Sequence, residues 1–154
     1  MKLPRFLPDS DFAFIVRNAP LVSVDIIVKD PQQRALLGRR VNEPAKGNYF
    51  VPGGAIRKNE TIRSAFVRIL KAETGLETSI DKARFVGVFE HFYDTNRFED
   101  RQYGTHYVAL VHELTFKERP LVKLDSQHSD IRWISGSEIL LAPDVHPYTK
   151  AYFR

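Results

Sequence analysis

Apolar and polar positions alternate along this chain in two distinct periods, and the switches between them mark out its elements. Residues Asp9 to Arg17 follow a helical period that Asn18-Ala19-Pro20 stops. Leu21 to Val28 is a strand rich in β-branched residues, and Pro31-Gln32-Gln33 turns it into a second strand, Arg34 to Arg39, which predicts a hairpin. A loop with Pro44 and Gly47 leads to a short apolar strand, Tyr49-Phe50-Val51, and to a turn at Pro52-Gly53-Gly54. The strongest helical pattern runs from about Asn59 to Thr74, with Asn59 as N-cap and Gly75 as stop. Ile62, Ala65, Phe66, Ile69 and Leu70 form its apolar stripe. Two longer strands follow, Arg84 to Tyr93 and Thr105 to Lys117, joined by a polar loop. A short strand around Ile131 to Ile134 and helical pieces at Ser137 to Leu141 and Val145 to Phe153 complete the chain. Strands on both sides of one central helix predict an α/β (α+β) fold, a mixed sheet sandwiched between helices.

Composition narrows this picture. The chain has 154 residues, enough for one domain with a sizeable core, so residues 1–154 are read as a single domain. No window offers the roughly 18 uncharged apolar residues of a membrane span, and the N-terminus does not read as a signal peptide. With no cysteine, disulfides, thiolate chemistry and cysteine-bound metals are excluded, which fits a cytoplasmic protein. The net charge of +4, from 23 basic and 19 acidic residues, carries no polybasic block. It does not call for nucleic acid and suits a small anionic substrate.

Individual polar residues stand out against the apolar pattern. Glu73 lies eleven residues after Ile62, about 20° around a helix, so it falls on the apolar stripe. A carboxylate there is costly unless paired or metal-bound, or unless its head reaches water from the last turn. Glu60 reads as a first-turn acid that suits the helix dipole. Arg68 either orients a carboxylate or is solvated. Asp25 interrupts the apolar run Val24 to Val28 and faces either water or a site. His91 shares a strand face with Phe85, Gly87 and Phe89, as a pocket residue or a packed one. Tyr107, Phe50, Phe92 and Trp133 read first as core aromatics, although a nucleobase would need such a ring to stack on.

The segment Gly54 to Leu76 resembles the Nudix box: Gly54, Glu60, Arg68, Leu70, Glu73, Gly75 and Leu76 stand at matching positions, while Ile69 and Ala72 replace glutamates of the usual box. Outside it, Leu36-Leu37-Gly38-Arg39-Arg40, Asn48 to Gly54, Glu90-His91-Phe92-Tyr93-Asp94, Thr105-His106-Tyr107-Val108, Asp125-Ser126-Gln127-His128 and the closing Ala151-Tyr152-Phe153 resemble the GDP-mannose mannosyl hydrolase family. That resemblance implies a Nudix fold and Mg²⁺-dependent hydrolysis of GDP-mannose and GDP-glucose, with water attacking the anomeric carbon and inverting it. It also implies a homodimer. It assigns one Mg²⁺ per subunit, replaceable by Mn²⁺, to the Gly53 carbonyl, Glu73 and Gln127. The general base falls on His128. Arg40, Tyr107 and Asp25 assist the leaving group or substrate, and His91 matches a motif position with a less definite role. The family's arginine after the two glycines is Ala55 here, and Arg57 is the candidate replacement.

The chemistry is coherent on general grounds. A nucleoside diphosphate leaves readily once cations neutralise its developing charge, and an oxocarbenium-like transition state asks little of the attacking water. Two other readings stand beside it: conventional Nudix cleavage at phosphorus, which lacks the carboxylates at 69 and 72, and a non-catalytic nucleotide-binding module, which would not need Glu73, Gln127 and His128.

Overall fold

The structure, a computed structural model, describes residues 6–123 and 128–154. Helix α1 (Asp9–Asn18) leads into strands β1 (Leu21–Lys29), β2 (Ala35–Arg40), β3 (Tyr49–Phe50) and β4 (Gly53–Ala55). Helix α2 (Ile62–Thr74) is followed by β5 (Arg84–Tyr93), β6 (Thr105–Thr115), β7 (His128–Ile134), α3 (Gly136–Leu141) and α4 (Pro147–Ala151). The strands form one mixed sheet in the order β3-β2-β1-β6-β5, with β4 pairing β1 and β7 pairing β2. β1 runs parallel to β6 from Leu21↔Tyr107 to Lys29↔Thr115.

β1 reads as a nearly unbroken apolar run because both its faces are covered. Val24, Ile26 and Val28 pack with Phe66, Ile69 and Leu70 of α2. Ile27 points the other way, into a cluster with Leu37, Val111, Ile139, Val145 and Tyr152 beneath α3 and α4. Phe66, Ile69 and Leu70 are at most 1% exposed, and burial of each stabilises the fold by roughly 1.5–3 kcal/mol. The sandwich of a mixed sheet between helices is the architecture expected from the sequence.

Several local expectations are corrected. α2 begins at Ile62 and not at Asn59. Thr61 is its N-cap, accepting from the Ser64 N–H, while Asn59 sits in a left-handed turn at φ 68°. Glu60 therefore precedes the helix and its first turn holds no acid. Ile62, at 45% exposed, drops out of the apolar stripe. Gly75 does end the helix, at φ 76°, with its N–H donated to the Lys71 carbonyl. Gly53 and Gly54 belong to strand β4, not to a turn. In the register Asp25↔Gly53 and Val24↔Gly54, a Cβ on Gly53 would collide with the Asp25 carboxylate, and one on Gly54 would press on Ile69 at 3.2 Å. Close approach, not turn geometry, selects these two glycines.

Candidate active site

A cleft opens where β1, β4, the end of α2 and the start of β7 meet. Asp25, Arg40, Gly53, Glu73, Tyr107 and His128 all line it, as does His91. Residues that the sequence scatters over more than a hundred positions thus converge on one cavity. Gln127, and with it one of the expected metal ligands, lies outside the described residues.

Glu73 reaches the cleft from the last turn of α2, and His128 from the first residue of β7. His128 Nδ1 lies 3.5 Å from Glu73 Oε2, and the two side chains are only 8% and 9% exposed. The imidazole has room because residue 38 is glycine: a Cβ there would stand 2.7 Å from His128 Cδ2. Arg40 is held by its own loop, donating from Nε to the Pro44 carbonyl at 3.0 Å, with its guanidinium over the Phe50 ring.

The floor of the cleft is polar and nearly buried. The Asp25 carboxyl is 9% exposed and accepts from the Tyr152 hydroxyl at 2.6 Å. Burial raises its pKa to about 6, against the opposing pull of Tyr152, Ser23 and Arg40. The same Tyr152 hydroxyl lies 3.1 Å from His91 Nε2. His91 is 4% exposed and stacks on Tyr148 at 4.5 Å and 9°. Burial, helped by His146, lowers its pKa to about 4, so its ring is neutral in the physiological range. Burial likewise pushes the Tyr107 phenol up, which keeps it a neutral hydrogen-bonding group.

A second groove continues outward from the cleft past Gly53, Gly54 and Tyr107, with Phe6, Phe12 and Arg97 along its walls. Arg57 lies in this outer groove and not in the cleft, with its guanidinium 5.4 Å from the Phe6 ring centre. Ala72 also lines it, without any donor to offer.

Glu60 and Arg68 form a clamp away from the cleft. Arg68 donates to both Glu60 oxygens, at 2.6 and 2.9 Å, and to the Ala55 carbonyl at 2.9 Å. Glu60 also accepts the Arg57 N–H at 2.9 Å. Arg68 holds the Glu60 carboxyl below the usual range. The pair locks the loop between β4 and α2, so Arg68 orients a carboxylate and Glu60 is no dipole partner.

Tyr93, Tyr152 and Gly38 stand in segments that carry the family resemblance, but the sequence reading gives them no role in the site. Tyr93 lies two residues beyond His91 on the same strand face, so alternation could have found it. Nothing local marks the role of Tyr152 or Gly38, because each acts on a residue distant in the chain.

The described donor set bears on a divalent cation. The described residues contain no cluster of three His, Cys, Asp or Glu side chains able to hold a metal. Glu73 and the Gly53 backbone share the cleft, which fits a hard cation of the Mg²⁺ type that takes few protein ligands and completes its shell with water and substrate phosphate.

Comparison with known proteins shows the family. The fold is that of a Nudix hydrolase. A model of the NUDIX domain matches residues 19–154, and the chain belongs to the Nudix family. It is 39% identical over 146 residues to the low-salt glycan biosynthesis protein Agl8 of Haloferax volcanii, covering 95% of this chain and 88% of that protein. A shorter stretch of 58 residues is 48% identical to an ADP-ribose pyrophosphatase of Methanocaldococcus jannaschii, spanning 37% of this chain and 33% of the other. Among solved structures, a MutT protein from Methanosarcina mazei superposes with a TM-score of 0.71 at 21% identity, covering 88% of this chain and 92% of its own. The NUDIX domain of Shewanella oneidensis NrtR, solved with ADP ribose, gives 0.64 at 17% identity over 95% of each chain. At these identities the structures establish the fold. No helix among the described residues is long and apolar enough to cross a membrane.

Proposed function

We propose that this Nudix hydrolase cleaves GDP-mannose, and GDP-glucose with it, at the anomeric carbon, releasing GDP and the free sugar with inversion. One observation carries the reading. Toward the cleft, α2 offers a single carboxylate, Glu73, and its titratable neighbour is the imidazole of His128. Ile69 is sealed beneath Gly54, and Ala72 has no functional group. A reaction at phosphorus that needs further carboxylates to bind metal and activate water finds none at those positions. A reaction at the sugar carbon needs a good leaving group and a modest base.

In this reading Arg40 and Tyr107 hold the leaving diphosphate oxygens, Arg through its planar fork. Asp25 and His91, on the cleft floor, take the glycosyl group. The His128 imidazole accepts the proton of the attacking water. Glu73, the Gly53 carbonyl and Gln127 would hold one Mg²⁺ per subunit, with Mn²⁺ as a substitute, supplying further charge neutralisation to the diphosphate. The outer groove, with Arg57 and Arg97 beside Phe6 and Phe12, takes the nucleotide. The likeness to a glycan biosynthesis protein supports a nucleotide-activated sugar as substrate. The same reading includes one Nudix domain over residues 1–154, a homodimer and a cytoplasmic setting.

A second reading, cleavage at phosphorus of a nucleoside diphosphate derivative, draws on the 58-residue likeness to an ADP-ribose pyrophosphatase. The anomer released separates the two. Proton NMR of a fresh reaction with GDP-α-D-mannose and Mg²⁺ is expected to detect β-mannose first. Initial release of α-mannose, or of mannose 1-phosphate, would contradict the proposal.

A further inference from the structure

Where Asp25 is ionised, the polar chain on the cleft floor has a direction that follows from counting protons. Tyr152 has one hydroxyl proton and two close partners, Asp25 Oδ2 at 2.6 Å and His91 Nε2 at 3.1 Å. A carboxylate can only accept, so the phenol donates to Asp25. The Tyr152 oxygen is then left to accept, and His91 Nε2 must carry the proton that it accepts. With Nε2 protonated and the ring neutral, Nδ1 bears a lone pair.

The surroundings of His91 make this consequential. Its ring is clamped between Tyr148 on one side and the Tyr152 bond at its tip, so it has little freedom to turn. His91 lines the cleft, and its Nδ1 has no protein hydrogen bond among the described residues. Nor is Nδ1 among the fully buried atoms that lack a partner. Tyr152 itself does not line the cleft: it is 7% exposed and packs edge-on against Phe89 at 4.8 Å.

We infer that Tyr152 is a positioning residue: it holds the Asp25 carboxylate and locks His91 in the Nε2–H tautomer, so that Nδ1 presents a hydrogen-bond acceptor to a hydroxyl of the bound glycosyl group. The identity of that partner rests on the functional reading above; the tautomer does not. In the reversed chain, a protonated Asp25 would donate to Tyr152, Tyr152 to Nε2, and His91 would offer the cleft an N–H donor. The two arrangements therefore select opposite substrate groups, and a site built to receive a donor strongly rejects an analogue that lacks it.

Long-range ¹H–¹⁵N NMR of histidine-labelled protein at pH 8, with the His91 signals identified by their loss in His91→Gln, reads the tautomer without substrate. The expected spectrum has a protonated Nε2 and a bare Nδ1 on His91. In Tyr152→Phe, which keeps the ring packing, His91 is expected to lose that single tautomer. kcat/KM for GDP-mannose should fall about tenfold or more, as misplacement of a contacting group does, while GDP binding is unchanged. An Nδ1–H tautomer in the unaltered protein would overturn the inference, as would a Tyr152→Phe variant with the same tautomer and the same kcat/KM. A protein with the expected tautomer that leaves GDP-mannose intact would count against the substrate and not against the role of Tyr152.

Discussion

Glu73 Oε2 and His128 Nδ1 stand 3.5 Å apart across the mouth of a nearly buried cleft, although 55 positions separate them in sequence. The contact joins the last turn of α2 to the first residue of β7. It places the proposed metal-binding carboxylate and the proposed base side by side, and it depends on the absence of a side chain at Gly38.

That dependence is testable. Gly38→Ala puts a methyl group 2.7 Å from His128 Cδ2, so the ring has to move. The fold is expected to survive with a small change in Tm, while kcat falls about tenfold or more because the base is displaced. His128→Gln, which removes the base, is expected to lower kcat by roughly 10²–10⁴ at neutral pH. A Gly38→Ala enzyme with native kcat would show that the position of His128 is unimportant.

The two positions where the Nudix box lacks glutamate differ physically, and the difference predicts opposite outcomes. Ala72 is exposed, so Ala72→Glu is expected to change stability by less than about 0.5 kcal/mol. Ile69 is 1% exposed beneath Gly54, so Ile69→Glu buries an unpaired charge and should cost about 3 kcal/mol or more. Urea unfolding of both variants checks this. Equal stability would mean that Ile69 is not the packing residue described.

Asp25 ties stability to pH. Its pKa is about 6 when folded, against 3.8 as the ordinary value for the unfolded chain. Between these values the folded protein holds more protons, so the contribution of Asp25 to stability is full below 3.8 and is lost as pH rises through 6. Asp25→Asn is therefore expected to be more stable than the unaltered protein at pH 8, by up to about 3 kcal/mol, and to lose that advantage near pH 4. Activity should run the other way, with Asp25→Asn impaired and the unaltered enzyme losing kcat/KM as pH falls below 6. An Asp25→Asn variant less stable at pH 8 would contradict the account of a buried, costly carboxylate.

Arg57 sits in the outer groove, where residue 55 is an alanine and the nearby Arg68 is engaged by Glu60 and the Ala55 carbonyl. Removal of one charge-assisted contact to the nucleotide is worth about 1.5–3 kcal/mol, so Arg57→Ala is expected to raise KM for GDP-mannose about tenfold or more. Unchanged kcat and KM would mean that Arg57 does not stand in for the missing arginine.

The sequence announces features whose cause is local. Periodicity locates β1, β5, α1 and the body of α2, because strand and helix faces must bury apolar side chains at fixed intervals. The left-handed stop at Gly75 is equally local. Asn59 misleads because a good capping residue is also a good left-handed turn residue, and Thr61 took the cap. The glycines at 53 and 54 read as a turn, while their reason lies in Asp25 and Ile69 across a strand pair. Asp25 and His91 show which face they occupy only once β1, β5 and α4 are assembled. Tyr152 and Gly38 remain silent because their effects are exerted on side chains 61 or more positions away.

The central claim is that water attacks the sugar carbon and not phosphorus. Hydrolysis of GDP-mannose by the Mg²⁺-loaded protein in ¹⁸O-water, followed by mass spectrometry of both products, decides it. The account predicts the label in mannose and none in GDP. Label in a phosphate group would place the attack at phosphorus and contradict it.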